Sequence, residues 1–367
     1  MNNSPIDLKE GDIVKFLEKT KPEIDRIVEA YLPRKIEKKW LECVFGKPHY
    51  EYSLEPAQKA LVDPMWDLLD RGGKRWRPVL FLLVTEAVGG DIEKLKDIII
   101  IPEIVHNGTL MMDDIEDMGE LRRGKPCIHK IFGEDIAINA GSFMYYFPII
   151  TLMKNKDKFK KESLIKAYEI YVQEMLNVSL GQATDIYWHR GNADKISEAE
   201  YLQMCAYKTG CLSRMAAKLA AVLSDCDDIL IEKVGRVAEA IGVAFQIQDD
   251  ILDIALKDEE EREKFGKPFG NDIKEGKRTL MVIHTLKIAS DRDRERLIEI
   301  LNKHTDDMNE RKEAISILEK YGSIRYARER SRQIVRDAWK ETDAILKDGP
   351  AKAKLKEFVN YLIERKV

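Results

Sequence analysis

The sequence has few of the features that mark a secreted, fibrous or membrane-spanning protein. Cysteine occurs five times in 367 residues, at Cys43, Cys127, Cys205, Cys211 and Cys226, an odd number without a CxxC pair. This argues against a disulfide framework and a thiolate zinc site, and fits a reducing compartment, so the expected location is cytoplasmic. Proline (12) and glycine (21) are sparse, and no Ser/Gly/Pro-rich linker divides the chain. The longest strongly apolar runs, such as IIII at 98–101, are far too short to span a bilayer, so no integral membrane segment is expected. The opening MNNSPIDLKEGDIVK carries acids and no apolar h-region, and so no secretory signal. Nor does either charge dominate. Lys+Arg 61 against Asp+Glu 65 leaves −4, which gives no global attraction to nucleic acid or an anionic membrane.

What is present is long stretches with apolar residues three and four apart. In 197–224, Leu202, Ala206, Leu212, Met215, Leu219 and Val222 recur at helical spacing behind Ser197, with Glu200 three residues on as a capping box. Residues 227–256 and 322–347 read the same way. The run at 98–102 reads as a buried helix that Pro102 begins or kinks. No alternating strand pattern appears. The fold class expected is all-α, with ten or more helices. Residues 1–22 read as a polar N-terminal extension, 23–367 as one helical domain, and 256–267 as a solvated loop.

Two aspartate clusters stand out against this background: Asp113-Asp114-Ile115-Glu116-Asp117 and Asp249-Asp250-Ile251-Leu252-Asp253. Each closes a mostly apolar helical run and sets carboxylates at i,i+4, where like charges repel. A hard divalent cation resolves that conflict. Mg²⁺ takes oxygen ligands and commonly shares them with substrate phosphates. Basic residues offer places for the remaining phosphate charge: GGKRWRP at 72–78, Arg122-Arg123-Gly124-Lys125, Lys208-Thr209-Gly210, and Lys267 and Lys277 around FGKPFGNDIKEGKRT. Three motifs are set aside. Gly270–Thr279 has one residue too many for a Walker loop, Glu103-x-x-His106 has no second ExxH, and His129 and His189 have no partner pattern.

In order and spacing, GGKRWRP, DDIED with RRG, GQATD at 181–185, KTG, FQIQDDILD at 245–253 and GKPFGNDIKEGK at 266–277 resemble the trans-isoprenyl diphosphate synthases. The match covers about residues 60 to 290, and the geranylgeranyl-type enzymes are nearest in look. The resemblance implies a helical bundle of the isoprenoid synthase type around a deep central pocket, usually a homodimer. It also implies condensation of isopentenyl diphosphate with an allylic diphosphate (dimethylallyl, geranyl or farnesyl) and three Mg²⁺ per active site. By the same resemblance Asp113, Asp114, Asp117, Asp249 and Asp253 bind Mg²⁺, with Asp250 in support. Arg122, Lys208 and Lys267 contact the allylic diphosphate. Lys74, Arg77, His106 and Arg123 hold isopentenyl diphosphate, Lys277 joins the substrate-binding set, and Thr209 and Gln246 line the carbocation. Trp76 is read as structural.

A class I terpene cyclase would not need the second basic set, and a non-catalytic regulatory subunit should have lost aspartates or lysines, whereas neither motif shows a loss. The growing chain is expected to run along the helix before Asp113. Gly108 and Thr109 would form an open first floor, Val105, Ile104 and Ile101 deeper stops, and the facing segment 143–147 a bulkier barrier. That predicts geranylgeranyl diphosphate or a longer product.

Overall fold

The computed structural model describes residues 10–192, 195–256 and 269–364. Among them the expected all-α architecture is found, with more than ten helices. The one departure is a hairpin of two-residue strands, Leu121–Arg122 against Lys125–Pro126, too short for any alternation to signal it. The described residues fall into two compact units. One is drawn from Met1–Ile170, Ala216–Ile231 and Lys347–Glu357, the other from Tyr171–Met215, Glu232–Leu346 and Phe358–Val367. Each unit is therefore assembled from segments distant in sequence.

In the first unit, the isoleucine run forms a short 3₁₀ turn, Lys96–Ile99, that leads into the helix Ile100–Glu116. Pro102 falls in the first turn of that helix, where its missing N–H costs no hydrogen bond. Ile98 to Ile101 are all fully buried. This helix packs on Glu134–Tyr146 through two glycines. A Cβ on Gly108 would lie 2.8 Å from Met144 Cβ and 3.1 Å from the Gly141 carbonyl oxygen, and one on Gly141 would lie 2.9 Å from Met112 Sδ. The first helix, Glu10–Tyr31, includes residues 10–22 of the expected extension. There Ile13 and Leu17 are buried in line with Ile24 and Val28, because four apolar positions at helical spacing outweigh a polar composition. Residues 1–9 lie outside the described residues.

Contrary to the sequence expectation, one stretch, Glu134–Lys154, is apolar and long enough to cross a membrane by composition. Half of it is buried, and a 3₁₀ turn containing Pro148 interrupts it, as suits a core helix.

In the second unit the expected 197–224 helix begins with the predicted box, Ser197 Oγ accepting from Glu200 N–H and Glu200 from Ser197 N–H. It then departs from α geometry. Glu198–Cys205 passes into a π-turn, Ala206–Gly210, before Cys211–Leu223 resumes. Such bulges occur mostly as single turns and often at functional sites. Gly181 accounts for one close approach, since a Cβ there would lie 2.2 Å from the Lys208 backbone nitrogen. The core beneath includes Ile247, Ile251, Leu280, Val282, Leu297 and Leu318. Ser323–Asp343 realises the helix expected at 322–347. Residues 257–268, most of the expected solvated loop, lie outside the described residues.

Candidate active site

The Gly72-Gly73 turn of the first unit takes left-handed backbone at both glycines, φ 88° and 127°. At Gly73 the missing side chain matters as well, because a Cβ would lie 3.0 Å from Arg123 Nη2. Arg123, itself left-handed at φ 54°, donates to the carbonyl of Gly72 and, at 3.4 Å, to Asn107 Oδ1. Arg77 is buried and its guanidinium lies 4.3 Å from the Trp76 ring centre, so Trp76 supports that cation. Lys74 is exposed on the turn.

The charges of Arg77, Arg123, Arg122 and Arg75 all act on His106. With burial as the main cause, they push its pKa well below the ordinary value, so the ring is neutral. Burial pulls Arg123 down to about 10, despite the Glu103 charge, with Arg75 and Arg122 adding to the pull. A guanidinium in that position gains from an arriving anion.

Sequence reasoning missed the residue that organises this cluster. Arg75 is buried and pairs with Glu103 at 2.7 Å and Asp25 at 3.0 Å, while donating to the Leu69 carbonyl at 2.9 Å. Glu103 also accepts from Asn107 at 2.7 Å. The ExxH pattern, set aside as a half metal site, is thus an ion-pair anchor followed one turn later by the neutral histidine. The signal available was a third cation inside GGKRWRP with a carboxylate in an isoleucine-rich helix.

At the far end of the same helix, Arg122 donates to Asp114 Oδ1 at 2.7 Å and to Asp113 Oδ2 at 3.4 Å. Burial opposes the Arg122 charge, but the two carboxylates raise its pKa overall. Asp114 is buried, which raises its pKa against the pull of Arg122, and its Oδ2 is buried with no hydrogen bond. Asp113 is partly exposed, and Asp117 closes the helix with its N–H on the Asp113 carbonyl at 2.8 Å.

The second unit brings Lys208, Gln246, Asp250 and Lys277 around one small cavity, together with Asp185, Tyr201, Met204, Arg278 and Thr279. Lys208, lifted on the π-turn, pairs with Asp185 at 2.7 Å. Thr209 Oγ1 donates to Gln246 Oε1 at 2.9 Å, Gln246 Nε2 to Asp250 Oδ1 at 2.9 Å, and Tyr201 OH to Asp250 Oδ2 at 2.8 Å. Burial and the nearby Asp272 charge still push Asp250 up to about 7. Asp253 accepts from the backbone N–H groups of Asn271 at 3.2 Å and Asp272 at 3.1 Å. It is committed to starting the next turn of chain. Asp249 is the half-buried carboxylate of this motif. Lys277 pairs with Glu275 at 2.5 Å, and Lys267 lies outside the described residues.

Three of the expected chain-length residues, Ile101, Ile104 and Val105, are fully buried in the core, and Gly108 is the helix-crossing contact described above. Only Thr109 shares a face with His106 and Asp113, at i+3 and i+7. The open first floor expected at Gly108 is therefore filled by its neighbour helix.

Among the described residues no three His, Cys, Asp or Glu side chains form a ready-made metal cage. The carboxylates stand singly or in pairs and offer only oxygen. That donor set suits Mg²⁺, which binds through one or two carboxylates and leaves the rest of its shell to water and substrate phosphate.

A helical fold carrying paired carboxylates and two separate cation sets defines a diphosphate-processing transferase. The family model for polyprenyl synthetases matches residues 58–318. A short chain isoprenyl diphosphate synthase of Methanothermobacter thermautotrophicus is 37% identical over 298 residues, covering 81% of this chain and 88% of the relative. A geranylgeranyl pyrophosphate synthase of Geoglobus acetivorans is 35% identical, covering 81% and 88%. The crystal structure of a geranylgeranyl pyrophosphate synthetase from Pyrococcus horikoshii superposes with a TM-score of 0.83 at 30% identity, over 98% of this chain and all of that one. The chain belongs to the polyprenyl synthetase family and is a prenyl-transferring enzyme.

Proposed function

We propose that the enzyme condenses isopentenyl diphosphate with an allylic diphosphate to give geranylgeranyl diphosphate or a longer trans product. The observation that carries this reading is the presence of two cation sets. Arg77, Arg123 and the neutral His106 cluster in one unit, and Lys208 stands over Gln246 and Asp250 in the other. A cyclase acting on one diphosphate would not need the first set, and a regulatory subunit would need neither.

Asp113, Asp117 and Asp249 are the proposed Mg²⁺ ligands, with Asp114 held by Arg122 and Asp250 by Tyr201 and Gln246. When bound, the metal polarises the allylic diphosphate and neutralises the charge of its departure. Arg122 and Lys208, already fixed by ion pairs, stabilise that developing charge by preorganisation. Lys74, Arg77, Arg123 and His106 hold isopentenyl diphosphate by its diphosphate, so that its double bond meets the cation in a fixed orientation. The Thr209 hydroxyl and Gln246 amide present a neutral, hydrogen-bonded wall. The released diphosphate takes the final proton. We further propose a homodimer, supported by the exposed apolar stripe Val172, Leu176, Leu180 and Tyr187 along one helix. A cytoplasmic location is supported by five free cysteines.

Incubation with isopentenyl diphosphate, each allylic primer and Mg²⁺, followed by chromatography of the dephosphorylated chain, tests the reading. A product longer than the primer by whole isoprene units supports it. A hydrocarbon formed from the allylic diphosphate alone, or no turnover, overturns it.

A further inference from the structure

Lys21 lies on the helix Glu10–Tyr31, within a segment to which neither the family model nor the motifs assign a role. Its Nζ lies beside the Gly72-Gly73 turn, 3.8 Å from where a Cβ on Gly72 would stand. Four residues later on the same helix, Asp25 pairs with the buried Arg75 at 3.0 Å. That ion pair fixes the helix rotation so that Lys21 faces the turn, since i and i+4 share a face.

The surroundings of Lys21 are cationic. Arg123 lies against Gly73 and donates to the Gly72 carbonyl, and Lys74 is the next residue of the turn. Of the carboxylates within reach along the helix, Glu18 at i−3 and Asp25 at i+4, Asp25 is already engaged with Arg75. Among the described residues Lys21 has no hydrogen bond or ion pair, and it is only partly exposed. An ammonium beside a turn that also carries Lys74 and the Arg123 guanidinium is placed to attract an arriving anion.

We infer that Lys21 is a further ligand for the diphosphate of isopentenyl diphosphate, delivered to the site by the N-terminal helix. The inference rests on the assignment of Arg77 and Arg123 to that substrate. An ammonium is a point charge without fork geometry, so Lys21 would add attraction without setting orientation. Its loss should then weaken binding of one substrate and leave the chemical step alone.

The test is steady-state kinetics of Lys21→Ala and Lys21→Arg, with Arg77→Ala as the control for the site, each titrated against isopentenyl diphosphate and against the allylic primer. For Lys21→Ala the expected result is a KM for isopentenyl diphosphate raised about five- to tenfold, as for loss of one charge-assisted contact. The KM for the primer and kcat should hold within about twofold, and Lys21→Arg should recover most of the loss. Calorimetric titration of isopentenyl diphosphate into the metal-free protein should show the same ratio without turnover. An unchanged KM in Lys21→Ala, or equal changes for both substrates, would overturn the inference. If Arg77→Ala raises the KM for isopentenyl diphosphate and Lys21→Ala does not, only the role of Lys21 fails. If neither moves it, the assignment of the whole site fails.

Discussion

The two aspartate motifs share a pattern and differ in what their surroundings do with it. In the first, the carboxylates stand at the end of a helix and are held by a guanidinium. Arg122 bonds Asp114 and reaches Asp113. In the second, neutral donors hold Asp250 and Asp253. Tyr201 and Gln246 hold Asp250, and two backbone N–H groups hold Asp253. Spacing alone pairs Asp113 with Asp117 and Asp249 with Asp253 at i,i+4 and does not tell the two motifs apart. The donors that the fold brings within reach differ between the motifs, and that difference is what divides the proposed metal ligands Asp113, Asp117 and Asp249 from Asp114, Asp250 and Asp253.

The strongest way to break this comparison is to remove one proposed metal ligand from each motif. Asp113→Ala and Asp249→Ala are expected to lower kcat by well over tenfold, more than about 1.4 kcal/mol in barrier, with thermal midpoints unchanged or raised, since each also relieves like-charge repulsion. Either mutant retaining more than about a tenth of the wild-type kcat would refute its place as a metal ligand. Gly181→Ala comes next. Its Cβ cannot fit 2.2 Å from the Lys208 nitrogen, so the π-turn must shift and carry Lys208 away from Asp185. We expect a loss of about 1–3 kcal/mol in stability by denaturant titration, with a fall in kcat larger than that of Gly→Ala changes at surface glycines. Asp253→Ala should show the opposite balance from Asp249→Ala. Two N–H groups, one partly buried and one buried, lose their acceptor, the buried one at about 1–3 kcal/mol, so the thermal midpoint falls. Asp253→Asn, which keeps an acceptor, recovers much of it. Should Asp253→Ala keep its stability and lose all turnover, the division between the two classes would be wrong.

The sequence showed some of this and hid some of it for identifiable reasons. Helix was legible because apolar spacing is strong and local, and the Ser197–Glu200 cap was found where it was read. The cation sets were legible as residue types in motifs. Contacts between distant segments were not. Nothing in the local sequence says that Asp25 meets Arg75, or that Arg75 meets Glu103 and makes it an anchor. The polar appearance of residues 10–22 hid Ile13 and Leu17, the first two positions of a four-position apolar stripe. Helical direction hid the role of Gly108, since five residues before Asp113 is half a turn away from its face.

That last error redirects the question of product length. Gly108 was read as an open floor in which an aromatic ring would shorten the product. Its Cβ position instead lies 2.8 Å from Met144 Cβ and 3.2 Å from Tyr145 Cε1, so Gly108→Phe should lower the yield of folded protein before it informs on the chain. The aromatic ring that Gly108 lacks is supplied by the neighbouring helix. Tyr145 is partly exposed and lies against Gly108. Burial raises the pKa of its hydroxyl, and the charges of Glu116 and Asp113 add to the rise. A chain growing from a diphosphate held at Asp113 would meet this ring first. Tyr145→Ala should therefore extend the product by at least one isoprene unit, with kcat for the first condensation within about threefold of wild type, because the ring bounds space and touches no reacting atom. Tyr145→Phe keeps the ring and should keep the product. Chromatography of the chains from the two variants decides the matter. An unchanged length in Tyr145→Ala would mean that the chain leaves the aspartates along another wall.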